Sequence, residues 1–146
     1  MGNLSEHFNH QDFFCRCDAC KGAKEKEYKI HMGLVGALEL LTVNLQKQVK
    51  VKSAFRCEAQ NEKVGGGRKS FHILGKAAHI YVDGMKPQEL FKKAREIPEI
   101  KGLGLNVEEG SVHVDLREAP ERAEWVKENG KYITLTPEKK QTYGLE

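Results

Sequence analysis

The stretch Gly102-Leu103-Gly104-Leu105-Asn106-Val107-Glu108-Glu109-Gly110-Ser111-Val112-His113-Val114-Asp115-Leu116 reads as two strands folded onto each other. Gly102 to Val107 and Ser111 to Leu116 are the strands, Glu109-Gly110 is the turn, and together they make a hairpin. Side chains alternate faces along a strand. The second strand therefore puts Val112, Val114 and Leu116 on one face and Ser111, His113 and Asp115 on the other. The same division recurs from Ala77 to Val82, a strand closed by the turn pair Asp83-Gly84. There Ala78, Ile80 and Val82 oppose His79, Tyr81 and Asp83. Each strand buries an apolar face and gathers histidine and carboxylate on the opposite one. If the two strands are neighbours, His79 and His113 converge.

Working outward, Ile30 to Gln46 is the clearest helix. Leu34, Leu38, Leu41 and Leu45 recur at three- and four-residue spacing and make one buried face, while Gly33 and Gly36 permit close packing. Val49 to Phe55 alternates as a strand. Pro87 opens a helix through about Glu96, since proline suits a first helical position, and Pro98 stops it. Ser5 is placed as the N-cap of a short first helix. Gly22 to Lys29 is a charged loop, and Glu58 to Val64 a short helix ended by Gly65-Gly66-Gly67. The tail from Ala119 holds a short helix around Trp125 and then a strand from Tyr132 to Leu135. Helices come mainly first and strands later. That order favours an α+β domain, a small antiparallel sheet with helices packed on one face.

A chain of 146 residues suits one domain, read as 1–144, with Leu145-Glu146 set aside as a cloning scar. Hydrophobic residues at 39% and charged residues at 31% exclude a disordered chain. The net charge of +3 is spread among interspersed Lys and Glu, which argues against nucleic acid as a partner and fits a solvated surface. It also suits an anionic polymer such as a bacterial cell wall. No apolar run approaches the roughly 20 residues that span a bilayer, so no membrane insertion is expected. The first residues show no signal peptide. Cytoplasmic synthesis is expected, with action on the wall after release, and a monomer. Cys15, Cys17 and Cys20 form a C-x-C-x2-C cluster far in sequence from Cys57. Free thiols, disulfides and a structural zinc site all remain open for them.

His72 lies upstream of the Ala77 strand, after the glycine-rich turn, in a loop that can fold back over the strand end. Three imidazoles with one open position are the pattern of a catalytic zinc site. Imidazole also suits copper, iron and nickel, and a single histidine on a solvated strand face is ordinarily just surface. Gly65 to Ser70 lacks the spacing of a phosphate loop and is rejected as one. Trp125 is either a cleft wall or core, and Tyr81 is either near the metal or a packing residue.

At these residues the chain resembles a known family. Ser70-Phe71-His72-Ile73-Leu74-Gly75-Lys76-Ala77-Ala78-His79-Ile80 is similar to the S-x-H-x-x-G-x-A-x-D-I motif of zinc D-Ala-D-Ala carboxypeptidases. That group includes phage endolysins and shares its fold with the hedgehog signalling domain. Val112-His113-Val114-Asp115 resembles the family's H-V-D strand, Ser53 to Cys57 its S-G-Y-R-C segment, and Asn61 to Gly66 its H-N-x-x-V-G-G segment. The resemblance implies a hedgehog/DD-peptidase-like fold and a zinc bound by His, Asp and His with a water in the fourth place. It further implies a carboxylate that moves the water's proton and an arginine that binds substrate or stabilises the oxyanion. By position, His72 and His113 match the ligand histidines, Arg56 the arginine, and Ser70 joins Arg56 as substrate-binding. His79 stands where the family has aspartate and is taken as the third ligand. Some relatives place a glutamate three residues before the last ligand; here that residue is Gly110, and Glu108 and Glu109 are read as turn residues. Asp115 is therefore named as general base, or else as a group that orients a ligand. The implied activity is cleavage of D-amino-acid-containing stem peptides of peptidoglycan. The alternative is a weakened or inactive zinc-binding relative acting as a cell-wall binding module.

Overall fold

The computed structural model describes residues 2, 4–15, 30–56, 63, 71–72 and 74–146. Cys17, Cys20, Cys57, Ser70, Arg68 and Lys69 lie outside the described residues, as do the expected loop at 22–29 and nearly all of the expected helix at 58–64. The described elements run from a short 3-10 helix, His10–Phe13, through α1 (Met32–Leu45), β1 (Lys50–Ser53), β2 (Ala77–Tyr81) and α2 (Pro87–Arg95). They continue with β3 (Gly102–Asn106), β4 (Ser111–Asp115), β5 (Ala123–Glu128), β6 (Lys131–Thr134) and α3 (Pro137–Tyr143). The fold is α+β, as the order of elements implied.

The strands form one six-stranded sheet in the order β1-β2-β4-β3-β5-β6. β3 and β4 are the expected hairpin, and β4 also pairs antiparallel with β2. The sheet is mixed rather than wholly antiparallel, because β5 runs parallel to β3. Trp125 sits in the middle of β5, not in a helix. Ala123-Glu124-Trp125-Val126-Lys127-Glu128 is rich in helix formers, but pairing with β3 on one side and β6 on the other overrides that preference.

One face of the sheet carries Ala78, Ile80, Leu103, Leu105, Val112, Val114 and Val126, all buried. They share a single core with Leu34, Leu38 and Leu41 of α1 and Leu90, Phe91 and Ala94 of α2, so both helices cover this face. Leu145 is buried in the same core. α2 starts at Pro87 and ends where the Arg122 guanidinium donates to the carbonyls of Arg95, Ile97 and Ile100 at 2.6, 2.7 and 2.7 Å. That single side chain satisfies acceptors that a helix end leaves open.

Ser5 does not cap a helix. The first helix starts one turn later, at Asn9, whose backbone N–H donates to Asp12 at 2.8 Å. Ser5 instead donates to Glu39 Oε1 at 2.8 Å. The backbone N–H and Nδ1 of His7 meet the same carboxylate at 2.7 and 2.8 Å. Glu39 thus clasps the N-terminal segment to α1. The α3 helix was not expected from the sequence. Thr136 accepts from the Lys139 N–H at 3.3 Å, Pro137 follows it, and Gly144 closes the helix at φ 70°.

Candidate metal centre

With both helices on one face, the opposite face of the sheet is free to carry chemistry. β2 and β4 are in the register that sets His79 directly opposite His113, and β3 and β5 extend that row with Gly104 and Trp125. The turn before β2 brings in His72. Gly75 takes φ 72°, and its N–H donates to the His72 carbonyl at 3.2 Å. That carbonyl also accepts from the Arg56 N–H at 3.3 Å, which anchors the turn to the chain leaving β1. The ring centroids of His72 lie 4.9 Å from His79 and 5.3 Å from His113, and those of His79 and His113 are 5.2 Å apart. One nitrogen of each ring lies within 4.8 Å of one nitrogen of each other ring.

The cluster is closed below and open above. His72 is 2% exposed, whereas the His113 and His79 side chains are 16% and 21% exposed. Burial, reinforced by the neighbouring positive groups, pushes His72 down to about 3 and His79 down to about 2. Both rings are therefore neutral at physiological pH and present lone pairs. His72 Nδ1 donates to the Ala54 carbonyl at 2.7 Å, which leaves the lone pair on Nε2.

Asp115 is fully buried. Its Oδ2 lies 2.7 Å from His113 Nε2 and 2.8 Å from Arg117 Nη2, and its Oδ1 accepts from Arg117 Nε at 2.9 Å and the Arg117 backbone N–H at 3.1 Å. Burial pushes this carboxyl up, but the bonds from Arg117 and His113 outweigh it and hold it well below the usual carboxylate range. Arg56 stands beside the triad, since its charge helps depress both His72 and His79. Its Nε is buried and makes no hydrogen bond among the described residues. At the mouth, Glu109 Oε2 lies 3.9 Å from His79 Nδ1 and 4.0 Å from Lys52 Nζ. The Glu109 side chain is 47% exposed and is steadied by Asn106 Nδ2 at 3.2 Å. Glu109, Lys52, Tyr81 and Ser111 line an open hollow of about 460 Å³ beside the histidines. Trp125 stands 5.1 Å from the His113 ring and walls the cleft rather than filling the core.

A family model described as Peptidase M15 matches residues 6–115, roughly three-quarters of the chain. The chain belongs to the peptidase M15 family. No curated protein matches it. Among the described residues of this M15 domain, no helix is long and apolar enough to cross a membrane. Peptidases of the family depend on a metal, typically zinc. The donor set fits such an ion: three imidazoles converge on one point, two of them held neutral by burial, and an open side remains for a further ligand.

The structure thus brings His72, His79 and His113 together around one point, with Asp115 bonded to His113 and the Arg56 backbone bonded to the His72 turn. Glu109 belongs with them, although the sequence reading set it aside as a turn residue. Arg117 went unread, yet it follows Asp115 by two residues on the same extended segment. Gly102 and Gly104 also went unread. An added Cβ at Gly102 would stand 2.1 Å from Asp115 Oδ2, and one at Gly104 would stand 2.3 Å from Trp125 Nε1. The G-x-G pattern opposite Asp115 and His113 was the available signal: alternate glycines on a strand mark a close approach by neighbours.

Proposed function

We propose that this M15 domain hydrolyses D-amino-acid-containing stem peptides of peptidoglycan, using zinc held by His72, His79 and His113. The observation that carries the reading is the convergence of three imidazoles, one buried and two partly exposed, with a solvent-facing carboxylate beside them. Zinc bound there supplies Lewis acidity and a water with a pKa near about 7. Arg56, desolvated beside the histidines, holds a substrate carboxylate or the carbonyl oxygen that becomes negative. Glu109 reaches solvent and the mouth at once, so it is the group placed to accept the water's proton and hand it to the leaving amine. Asp115, chosen from sequence as base or orienting group, takes the orienting role. It is buried, and both of its oxygens are already engaged. Ser111 and Tyr81 line the hollow in which the peptide lies.

Digestion of purified peptidoglycan tests the reading. Zinc-loaded protein should release D-alanine or a stem-peptide fragment, and a chelator should stop the release. Glu109→Gln should lower kcat by about 10²- to 10⁴-fold with zinc content unchanged. An unchanged kcat removes Glu109 from the proton path. His79 in the family's aspartate place favours a second reading, a cell-wall binding module. That reading predicts tight zinc binding and no released product from any wall peptide.

A further inference from the structure

The Arg117 side chain plays no part in the chemistry above, yet it is fixed on several sides. Its guanidinium lies against two aromatic rings, 4.9 Å from the centroid of Phe71 and 5.1 Å from that of Trp125. Its edge grips Asp115 through two parallel contacts, Nε to Oδ1 at 2.9 Å and Nη2 to Oδ2 at 2.8 Å. Such a fork fixes a carboxylate in both position and plane, which a single-point contact does not. The same Oδ2 lies 2.7 Å from His113 Nε2. An ionised carboxylate only accepts, so Nε2 carries a proton and Nδ1 is the nitrogen left for a metal. Phe71 adjoins His72, and Trp125 sits against His113. One guanidinium therefore touches the turn that bears the first histidine, the segment that follows the strand bearing the third, and β5, which lies one strand beyond β3.

The geometry points to Arg117 as a positioning residue for the metal centre. It sets the Asp115 carboxylate, which sets the tautomer and ring angle of His113, while its contacts with Phe71 and Trp125 keep the His72 turn and β5 in step with β4. The part concerning metal affinity rests on the proposed zinc site; the part concerning the His113 tautomer does not. Outer groups of this kind typically change metal affinity by 10- to 100-fold.

The test uses the full chain with Arg117→Gln and Arg117→Lys. Nitrogen-15 NMR of the imidazoles in metal-free protein reads the His113 tautomer, and competition with a zinc indicator reads affinity. In the parent, the proton should sit on Nε2. Arg117→Gln should populate both tautomers and weaken zinc binding about 10- to 100-fold. Arg117→Lys keeps the charge without the fork. It should also mix the tautomers, and it decides the matter if the Gln variant does not fold. A purely structural Arg117 would lower the thermal midpoint and leave the proton on Nε2, and that result in both variants overturns the inference. A parent that binds no zinc defeats the proposed function, while the tautomer measurement still decides the role of Arg117.

Discussion

Replacing His79 with alanine is expected to weaken zinc binding by about two to three orders of magnitude and to cut the proposed peptidoglycan cleavage in step with it. A protein zinc site with a full ligand set is worth about 10–16 kcal/mol. One ligand among three then carries several kcal/mol, or roughly two to three orders of magnitude in affinity at about 1.4 kcal/mol per tenfold. The effect should be local, because the His79 side chain is 21% exposed and its strand is held by β1 and β4 on either side. His79→Asp should recover much of the binding that alanine loses, since a carboxylate oxygen is also a good zinc ligand. Isothermal titration with zinc on the three proteins reads both effects. If His79→Ala keeps the parent affinity, His79 is no ligand.

The second large effect is expected from a residue with no side chain. Gly102→Ala places a methyl group 2.1 Å from Asp115 Oδ2 and 2.3 Å from its Cγ. Asp115 has nowhere to go: it is fully buried, and Arg117 and His113 hold it. The variant must either crowd the sheet or pull the buried carboxylate from its partners. Overpacking costs about 1–3 kcal/mol and breaking a buried pair about 3–5 kcal/mol. A loss of about 3 kcal/mol should lower Tm by roughly 6–12 °C in a domain of this size. Gly36→Ala is the matched control, because an added Cβ at that helical position meets nothing within 4 Å. It should raise stability by up to about 1 kcal/mol. Equal effects from the two substitutions would mean that Gly102 does not make room for Asp115.

Much of the site was legible because a strand has a period of two. Alternation alone put His79 and His113 on polar faces, and the register across β2 and β4 then set them side by side. His72 had no periodicity to announce it. Its place depends on Gly75 at positive φ and on hydrogen bonds to residues far away in sequence; the sequence shows only a loop able to fold back, and the motif resemblance is the firmer pointer. β5 reads as a helix in sequence because its composition is helical, while its neighbours are strands. Its parallel pairing with β3 depends on a crossover that local pattern does not encode. The cap that starts α3 is legible in Thr136-Pro137. Arg117, Gly102 and Gly104 act through their fit to other residues, and single-residue reading is weakest for such roles. Glu109 reads as a turn residue in sequence because a turn is its ordinary home. It does occupy that turn, and the turn overhangs the histidines.

Zinc K-edge X-ray absorption on the loaded parent protein tests the three-histidine centre most directly. A site built by His72, His79 and His113 gives a first shell of nitrogen and oxygen alone, at about 2.0–2.1 Å, with the outer-ring scattering of three imidazoles. A sulphur shell at about 2.3 Å would place the metal on cysteines instead and contradict it.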